Sequence, residues 1–346
     1  MRKVITVATM KDVAKLAGVS TATVSHVVNG SKKLSIQTTQ RVLAAIAQAR
    51  YIPNTAAKSL RSGQSRMIGV LVEDIRGLPV ADIVSGISET LSTAGYRMIL
   101  LDLHLLEKLY NQYEQIGAYR THINSGIQLL LSSNVDGIIY VSMHDRHLDY
   151  LFDPLAKPLV FAYSHGTNQD TYVTYANQDS AAAITRYLIS KGHQRIAVIA
   201  GHPHSYPTGR RMDGFLITMQ QAGFSVPDTY IRYGDWEYVS GLEQTRALLK
   251  LPERPTAIFA MNDLMAAGCM HALNDAGLGI PKDMAVTGFD NRQIAEYLQP
   301  PLTTISLPTT EIGGRAALHI MKMVNDSSLP PVRDIIRCSI IERESV

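Results

Sequence analysis

Cysteine is nearly absent from this 346-residue sequence, which has only Cys269 and Cys338. Two distant cysteines exclude a disulfide framework and lack the spacing of a zinc site, so we expect free thiols in a reducing cytoplasm. His202 and His204 lie close together, but no cysteine or carboxylate cluster stands near them in the sequence. The sequence therefore predicts no metal site.

Long apolar runs are missing at both ends of the chain. The opening residues 1–9, MRKVITVAT, are too short for an export signal or a membrane span. They are either a flexible arm or a leader ahead of a start at Met10. The closing segment IIRCSIIERESV has no leucine heptads, so we expect no coiled-coil tetramer. Neither end predicts contact with a membrane.

The common catalytic motifs are missing too. There is no glycine-rich phosphate loop, no G-x-S-x-G nucleophile turn and no H-E-x-x-H zinc motif. The sequence therefore predicts neither an enzyme nor a cofactor. Hydrophobic residues make up 46% and charged residues 18% of the chain, which is typical of a globular protein. This length allows two or three domains.

Acidic residues are almost missing from the first 61 positions, where Asp12 stands against ten lysines and arginines. The formal net charge of the whole chain is only +3, so the positive charge is concentrated at the beginning. This asymmetry favours a phosphate-binding head on a neutral body, although a run of like charges is often no more than a solvated face.

Two short helices with a turn between them are predicted from MKDVAKLAGVSTATVSHVVN, residues 10–29. Gly18 ends the first helix because it lacks the Cβ atom that makes a left-handed cap costly. Ser20 caps the second helix, and Ser35 caps a third, residues 36–50. Small residues between the helices and short polar side chains outside are typical of a helix-turn-helix, whose second helix enters the DNA major groove. A small helical bundle would show the same pattern.

From Met67 onward, apolar strands alternate with helices, beginning with the strand MIGVLV. After Tyr163 the alternation restarts with YVTY. We therefore expect two α/β lobes, each with a parallel sheet flanked by helices, and a ligand between them.

Ligands of such sheets bind at the carboxyl ends of the strands. Six polar or aromatic residues follow predicted strands: Asp74, Asn177, Arg211, Trp236, Asn262 and Asp290. Carboxylate and amide groups form paired hydrogen bonds with vicinal hydroxyls, and an arginine guanidinium can donate to hydroxyls or to an anion. A tryptophan ring packs against the apolar face of a sugar. The set favours a sugar, sugar acid or sugar phosphate over a purine. Each also has a structural alternative, such as a helix cap for Asp290, an ion pair for Arg211 or a core position for Trp236.

The segment KDVAKLAGVSTATVSHVVNG resembles the DNA-binding head of the lactose/galactose repressor family, and YIPNTAAKSLRSGQSRMIGVLVED resembles its hinge and first core strand. The motifs KGHQRIAVIAG, TAIFAMNDLMAAG, VTGFDN and PPLTTI continue this resemblance in the family's order over nearly the whole chain. Arg211, Trp236, Asn262 and Asp290 match positions that hold the family's effector.

The resemblance implies an all-α helix-turn-helix head, residues 1–52, a hinge helix, 53–65, and a two-lobed α/β body, 66–346, like a periplasmic binding protein. The first lobe would contain about 66–164 and 307–325. The second would contain about 165–302 and the C-terminal segment. Three chain crossings would join the lobes. One segment departs from the family: residues 102–123 are longer than in most members, which predicts an extended helix or a flap near the cleft mouth.

In the family's pattern, Thr21, Ala22 and His26 read bases. Position 26 often carries arginine in the family, so the base preference of this chain should differ there. Leu60 would wedge into the minor groove, with packing on the body as the alternative. The remaining DNA contacts are expected from polar and basic residues of the head and hinge: Ser20, Thr23, Asn29, Lys32, Lys33, Lys58 and Arg61.

The function implied by the resemblance is that of a cytoplasmic, nucleoid-associated transcription regulator, most often a repressor. It would bind a palindromic operator as a homodimer, and an effector between its lobes would set its DNA affinity. The sign of the effector's action stays open. The alternative is a sugar-binding transport protein, which would have a similar body but an export signal and no basic head.

Overall fold

The computed structural model describes residues 8–29, 32–51, 64–110, 112–148 and 150–346. The chain divides into two compact units, residues 1–65 and 66–346. Three of the predicted DNA-binding residues, Lys58, Leu60 and Arg61, lie outside the described residues. Among the residues that are described, none of the helices has the length and apolar character needed to cross a bilayer.

The first unit contains three helices: α1 (Met10–Ala17), α2 (Thr21–Asn29) and α3 (Ile36–Ala49). Gly18 adopts the left-handed conformation, φ 62°, and ends α1 as predicted. The predicted caps are also confirmed. Ser20 Oγ accepts the Thr23 amide at 3.1 Å, and Ser35 Oγ accepts the Thr38 amide at 3.2 Å.

The core of this unit joins all three helices through Val13, Val24 and Val42, which are fully buried. Burying one valine from each helix fixes the angle at which α2 leaves the bundle. Thr21 and Ala22, at the start of α2, are exposed. The beginning of the second helix is therefore the accessible part, as a helix-turn-helix requires.

The second unit has two lobes. The sheet of the first lobe has the parallel order β11-β5-β4-β3-β1-β2. Its strands are β1 (Met67–Val72), β2 (Arg97–Asp102), β3 (Gly137–Val141), β4 (Leu159–Ala162), β5 (Thr171–Tyr175) and β11 (Arg333–Ile336). Its helices are α4 (Val80–Thr93), α5 (Leu106–Leu109), α6 (Arg120–Ser132) and α12 (Thr309–Asn325). Strands such as β1 and β3 are apolar throughout because both faces of the sheet are covered.

Two predicted lobe assignments need correction. The C-terminal segment was expected in the second lobe, but its strand β11 pairs with β5 in the first sheet. Strand β5, YVTY in the sequence, was expected to begin the second lobe but pairs with β4 and β11 in the first sheet. All five of its residues are buried, so it is an interior strand. The repeating strand-helix pattern could not show this, because an apolar strand reads the same in either sheet. The chain therefore leaves the first lobe after Tyr175, not near Tyr163.

The second lobe has the parallel sheet β7-β6-β8-β9. Its strands are β6 (Ile196–Ala200), β7 (Ile231–Tyr233), β8 (Ala257–Ala260) and β9 (Ala285–Thr287). Its helices are α7 (Asn177–Ser190), α8 (Tyr206–Gln221), α9 (Tyr238–Leu248), α10 (Asp263–Asp275) and α11 (Ile294–Tyr297). A separate antiparallel pair, β10 (Thr304–Ser306) with β12 (Ser339–Ile341), packs against α7.

The chain passes between the lobes at three places: after β5, between β10 and α12, and between β11 and β12. Helix α12 returns to the first lobe, where it packs on α4 and on strands β3, β4 and β5. The resemblance to the repressor family implied three crossings and this returning helix.

The long segment 102–123, called the insert below, forms neither a loose loop nor one extended helix. It contains α5, a 3₁₀ helix (Tyr113–Tyr119) and the start of α6. Leu109 and Ile116 are buried in the core of the first lobe. The insert is therefore a folded flap, and its position relative to the cleft decides what it can do.

A buried ion pair stands where β1 ends. The Glu73 carboxylate is fully buried and accepts the Tyr140 hydroxyl at 2.8 Å and the Met143 amide at 2.9 Å. The Arg146 guanidinium also donates to it. Glu73 thus joins the end of β1 to the loop after β3, and no sequence pattern marks it for this role.

We expect Glu73→Ala to lower the free energy of unfolding by about 3–5 kcal/mol, because it leaves the Arg146 charge and the Met143 amide buried without their partner. Chemical denaturation of the full chain measures the loss. The control is Glu253→Ala, which removes the exposed ion pair with Arg195 and should change stability by no more than about 1 kcal/mol. Equal effects of the two variants would contradict the structural role of Glu73.

Candidate ligand-binding site

A cavity of about 780 Å³ lies between the two lobes of the second unit. Four of the six predicted effector residues line it: Arg211, Trp236, Asn262 and Asp290. They come from four segments of the second lobe, each following the end of a parallel strand. The first lobe faces them with residues of the loops after β1 and β3 and of the insert. This volume lies in the range of small-molecule sites, about 300–1,000 Å³.

Arg211 lies in the first half of α8 and is almost fully buried. Its Nε donates to Asn177 Oδ1 at 2.9 Å, and its Nη2 donates to the Tyr175 hydroxyl at 2.9 Å. Its Nη1 donates to the carbonyl of Met261. The guanidinium carbon also lies 3.6 Å from the centre of the Phe289 ring. These contacts fix the plane of the guanidinium, so its remaining N–H groups have a defined direction.

Trp236 follows β7 in a backbone conformation with positive φ, 73°. Its indole packs on Gly201, where a Cβ atom would lie 2.1 Å from the ring. The glycine that ends the motif RIAVIAG is therefore needed for the tryptophan to sit against β6. The Arg211 guanidinium carbon is 5.6 Å from the indole centre, so the indole and the guanidinium group are adjacent in the cavity wall.

Several described residues other than glycine have a positive φ angle, and Asp290 has the highest of them, 118°. Its amide donates to the Ile305 carbonyl at 2.8 Å, which joins it to β10. Its carboxylate oxygens lie 4.0 Å from Arg211 Nη2 and 3.4 Å from Arg292 Nε. Burial raises the pKa of this carboxyl. The two guanidinium groups lower it, but by less than burial raises it.

A second carboxylate, Asp263, lies behind Asp290. Burial, followed by the charge of Asp290, raises the pKa of Asp263 to about 7. Asp263 accepts the Arg292 amide at 2.6 Å and the Thr304 hydroxyl. It therefore holds the loop of Asp290 against β10, and the two carboxylates disfavour each other's ionisation.

Asn262 has the position of a helix cap. Its Oδ1 accepts the Met265 amide at 2.8 Å, and its Nδ2 donates to the Trp236 carbonyl at 2.8 Å. The side chain lines the cavity while both ends of its amide bind protein groups. Asn262 thus positions Trp236 and the start of α10, in addition to any contact with a ligand.

Two predicted residues lie behind the cavity wall, which corrects their predicted role as direct ligand contacts. Asp74 is fully buried, and Arg76 binds both of its oxygens, which lowers its pKa to about 2. Asn177 accepts Arg211 Nε and donates to Asp145 at 2.7 Å. Both lie at strand ends as expected, but each supports an arginine that reaches the cavity.

Sequence reasoning missed His144, Tyr113 and Arg76 in the cavity wall. The His144 ring stacks on Tyr113, with centres 4.4 Å apart, and meets the edge of Trp236 at 5.4 Å. Its Nε2 is 2.8 Å from the Ser205 hydroxyl of the second lobe, and burial lowers its pKa well below the ordinary value. His144 follows strand GIIYV. The rule that ligands bind at the carboxyl ends of parallel strands, called the strand-end rule below, could therefore have found it. Tyr113 lies in the insert and carried no such signal.

His202, considered above for a metal site, instead faces the insert. Its Nδ1 lies 3.0 Å from Glu114 Oε1. Because Glu114 belongs to the first lobe and His202 to the second, this contact links the two lobes.

The first unit presents a possible DNA surface at α2. Thr21 and Ala22 are exposed, and Thr23 and His26 are partly buried. Asn29 is the last residue of α2, and Lys32 and Lys33 follow in an exposed segment. Ser20 Oγ bonds both the amide and the hydroxyl of Thr23, the latter at 3.0 Å. Ser20 and Thr23 therefore also stabilise the start of the helix.

A helix-turn-helix unit followed by a two-lobed α/β unit with a cavity between its lobes defines a ligand-responsive bacterial DNA-binding regulator. Residues 9–54 match the family described as bacterial regulatory proteins, lacI family, and residues 185–346 match a periplasmic binding protein-like domain. The ribose operon repressor of Escherichia coli (strain K12) is 33% identical over 98% of this chain and 99% of its own length. The chain belongs to the lacI family.

Two of the similar solved structures illustrate a likeness over nearly the full length. One is the lac repressor dimer bound to operator and the anti-inducer ONPF, with a TM-score of 0.82, 26% identity, and 98% and 99% of the two chains covered. The other is the transcriptional regulator CelR in complex with cellobiose, with a TM-score of 0.66, 30% identity, and 98% and 100% covered. The likeness to both includes the head and the two-lobed body.

The raised pKa of Asp263 predicts a pH dependence of stability. Between 3.8 and about 7 the folded protein holds a proton that the unfolded chain releases, so this carboxyl lowers stability as pH rises through that window. We expect Asp263→Asn to remove this decline. The free energy of unfolding, measured by chemical denaturation from pH 4 to 8, should fall less in the variant. The exposed Asp179→Asn serves as control, and parallel profiles of wild type and Asp263→Asn would contradict the shift.

Proposed function

We propose that this protein is a transcriptional repressor that binds a palindromic operator as a homodimer, and that a small sugar-like effector between its lobes sets its operator affinity. It would act in the cytoplasm, at the nucleoid, by binding and not by catalysis. The observation that carries the effector proposal is the convergence of Arg211, Trp236 and Asp290 in one cavity.

The geometry of these groups suits hydroxyl recognition. The distances from Asp290 to Arg211 and Arg292, 4.0 and 3.4 Å, are longer than direct charge-assisted hydrogen bonds, which are about 2.7–2.9 Å. A sugar hydroxyl can donate to the carboxylate and accept from a guanidinium at the same time. Trp236 beside them offers an apolar face for the ring of the sugar.

The names of some relatives support a sugar effector, while another relative, 30% identical over 98% of this chain, is a repressor named PurR. One curated relative is a ribose operon repressor, and one similar structure holds cellobiose. The lac repressor structure contains operator DNA and a dimer, which supports the proposed DNA partner and assembly. A transport protein would share the body, but the helix-turn-helix unit and its family match favour a regulator.

The effector proposal is tested by thermal shift of the full chain against pentoses, hexoses, sugar acids, sugar phosphates and purines. A ligand at one hundred times its dissociation constant adds about 2.7 kcal/mol to stability. We expect a sugar to produce the shift, and Asp290→Asn and Arg211→Met to abolish it. Asp213→Asn, two residues after Arg211 on the exposed side of α8, is the matched control and should keep the shift.

The same ligand should change operator affinity by about 5- to 150-fold, the usual range of coupling between two sites. The direction of this change gives the sign of regulation. A shift produced only by purines, or one that survives both cavity variants, would contradict the proposed sugar site.

The DNA proposal is tested by selecting an operator in vitro with the full chain and measuring affinity at several salt concentrations. Thr21→Ala should weaken binding to the selected operator by about 10- to 100-fold, which corresponds to about 1–3 kcal/mol per base contact, and leave binding to random DNA unchanged. Lys33→Ala should weaken both, and should reduce the salt slope by about one per subunit.

Gln37→Ala on α3, an exposed polar change outside the predicted DNA surface, is the control and should alter neither binding mode. If Thr21→Ala and Lys33→Ala had the same effect on selected and random DNA, the proposed division between base contacts and phosphate contacts would be wrong.

A further inference from the structure

A chain of hydrogen bonds reaches Arg211 from the first lobe. Asn177 Oδ1 accepts Arg211 Nε at 2.9 Å, and Asn177 Nδ2 donates to Asp145 Oδ2 at 2.7 Å. Asp145 lies in the loop after β3 of the first lobe, whereas Asn177 and Arg211 belong to α7 and α8 of the second. We call Asp145, Asn177 and Arg211 the cross-lobe chain, because its bonds pass from one lobe to the other.

The Asp145 carboxylate is held in place within the first lobe. It is fully buried, and its Oδ1 lies 2.9 Å from His165 Nδ1. The His165 amide donates to the Arg146 carbonyl at 2.9 Å, and the Leu148 amide donates to the His165 carbonyl at 2.9 Å. These backbone bonds join the loops after β3 and β4, so the carboxylate has little freedom to turn.

The same two loops contact the helix that carries Arg211. The rings of His147 and His165 each lie 4.9 Å from the ring of Tyr206, which is the first residue of α8. The first lobe therefore reaches Arg211 in two ways, through the start of its helix and through the cross-lobe chain.

The carboxylate of Asp145 sets the direction of the Asn177 amide. An ionised carboxylate only accepts hydrogen bonds, whereas an amide has a donor end and an acceptor end. With Asp145 as acceptor, the NH₂ group of Asn177 faces the first lobe and its oxygen faces Arg211. A reversed amide would place its NH₂ group against the Arg211 Nε–H, donor against donor. Asp145 thus selects the orientation that gives the buried guanidinium an acceptor.

Asp145 has this effect from behind the cavity wall. Of the residues that the structure describes, Arg211 lines the cavity, and Asp145, His165 and Asn177 do not. Within the cross-lobe chain, an influence of Asp145 on a bound ligand therefore passes through the guanidinium of Arg211.

We propose that Asp145 is a positioning residue for the effector. It orients Asn177 so that Arg211 presents its remaining N–H groups to the ligand, and it does so only while the two lobes are in contact. This inference rests on the proposed role of Arg211 in effector binding. It adds a residue of the first lobe on which the direction of the guanidinium depends.

The test compares two changes in the cross-lobe chain of the full-length protein. Asp145→Leu removes the acceptor and keeps a side chain of similar size. The swap variant combines Asp145→Asn with Asn177→Asp and so exchanges the acid and the amide. In the swap variant, the amide at position 145 can accept from His165 and donate to the carboxylate at position 177. That carboxylate can accept Arg211 Nε, so each hydrogen bond has a counterpart.

The first readout needs no ligand. The Nε–Hε group of Arg211 gives an NMR resonance in ¹⁵N-labelled protein, which is assigned by its absence from Arg211→Met. We expect this hydrogen to exchange with water at least about tenfold faster in Asp145→Leu, because its acceptor can turn away, and at the wild-type rate in the swap variant. A merely structural role of Asp145 would lower the free energy of unfolding without singling out this hydrogen.

The second readout is the affinity for the pentoses and hexoses of the thermal-shift panel, measured by calorimetric titration. Asp145→Leu should weaken binding at least about tenfold, the equivalent of one hydrogen bond to a charged group, and the swap variant should stay within about threefold of wild type. The matched control is Asp179→Asn, an exposed acid of α7 two residues after Asn177. It should alter neither readout.

Wild-type values of both readouts in Asp145→Leu would overturn the positioning role. A swap variant that lost as much as Asp145→Leu would also overturn it, because position 145 would then need its carboxylate for another reason. If Asp145→Leu did not fold, Asp145→Ala would replace it in both measurements. If none of these sugars bound to the wild type, the sugar effector would be wrong, and the hydrogen exchange of Arg211 alone would decide whether Asp145 positions it.

Discussion

The buried charge of Arg211 is the constraint on which the ligand site depends. A guanidinium removed from water is costly unless acceptors surround it, and here they come from separate parts of the chain. Asn177 opens α7, Tyr175 ends β5, and Met261 follows β8. The ends of these three elements must therefore lie close together to accept the hydrogen bonds of the Arg211 guanidinium. The position of Arg211 therefore reports on the packing of the first lobe against the second.

The first lobe contains a comparable device. Glu73 and Arg146 are buried together, and the bonds of Glu73 to Tyr140 and Met143 fix the loop that carries His144. Each lobe thus uses a buried charge to hold the loop it presents to the cavity. Because an unpaired buried charge is so unfavourable, these loops have few alternative conformations. This rigidity lets the cavity select a ligand by shape and not only by hydrogen bonding.

Much of this arrangement was predictable from the sequence. Periodicity and caps gave the three helices of the head, including the turn at Gly18, and strand ends pointed to Arg211, Trp236 and Asp290. The strand-end rule failed to separate residues that face the cavity from those behind it, because Asp74 and Asn177 also follow strands. The sequence pattern could not assign β5 to a lobe, because an interior apolar strand has the same pattern in either sheet. Tyr113 was out of reach because the insert follows no repeating pattern.

The three chain crossings between the lobes meet the ligand site itself. Tyr175 and Asn177 flank the first crossing and hold Arg211. Asp290 pairs with β10 beside the second, and the Ala176 amide bonds Ile336 beside the third. A ligand that joins Arg211 of the second lobe to His144 of the first would therefore bind beside the segments that connect the lobes. If the lobes rotated about these segments, a small displacement at the ligand would become a longer arc at the far edge of each lobe.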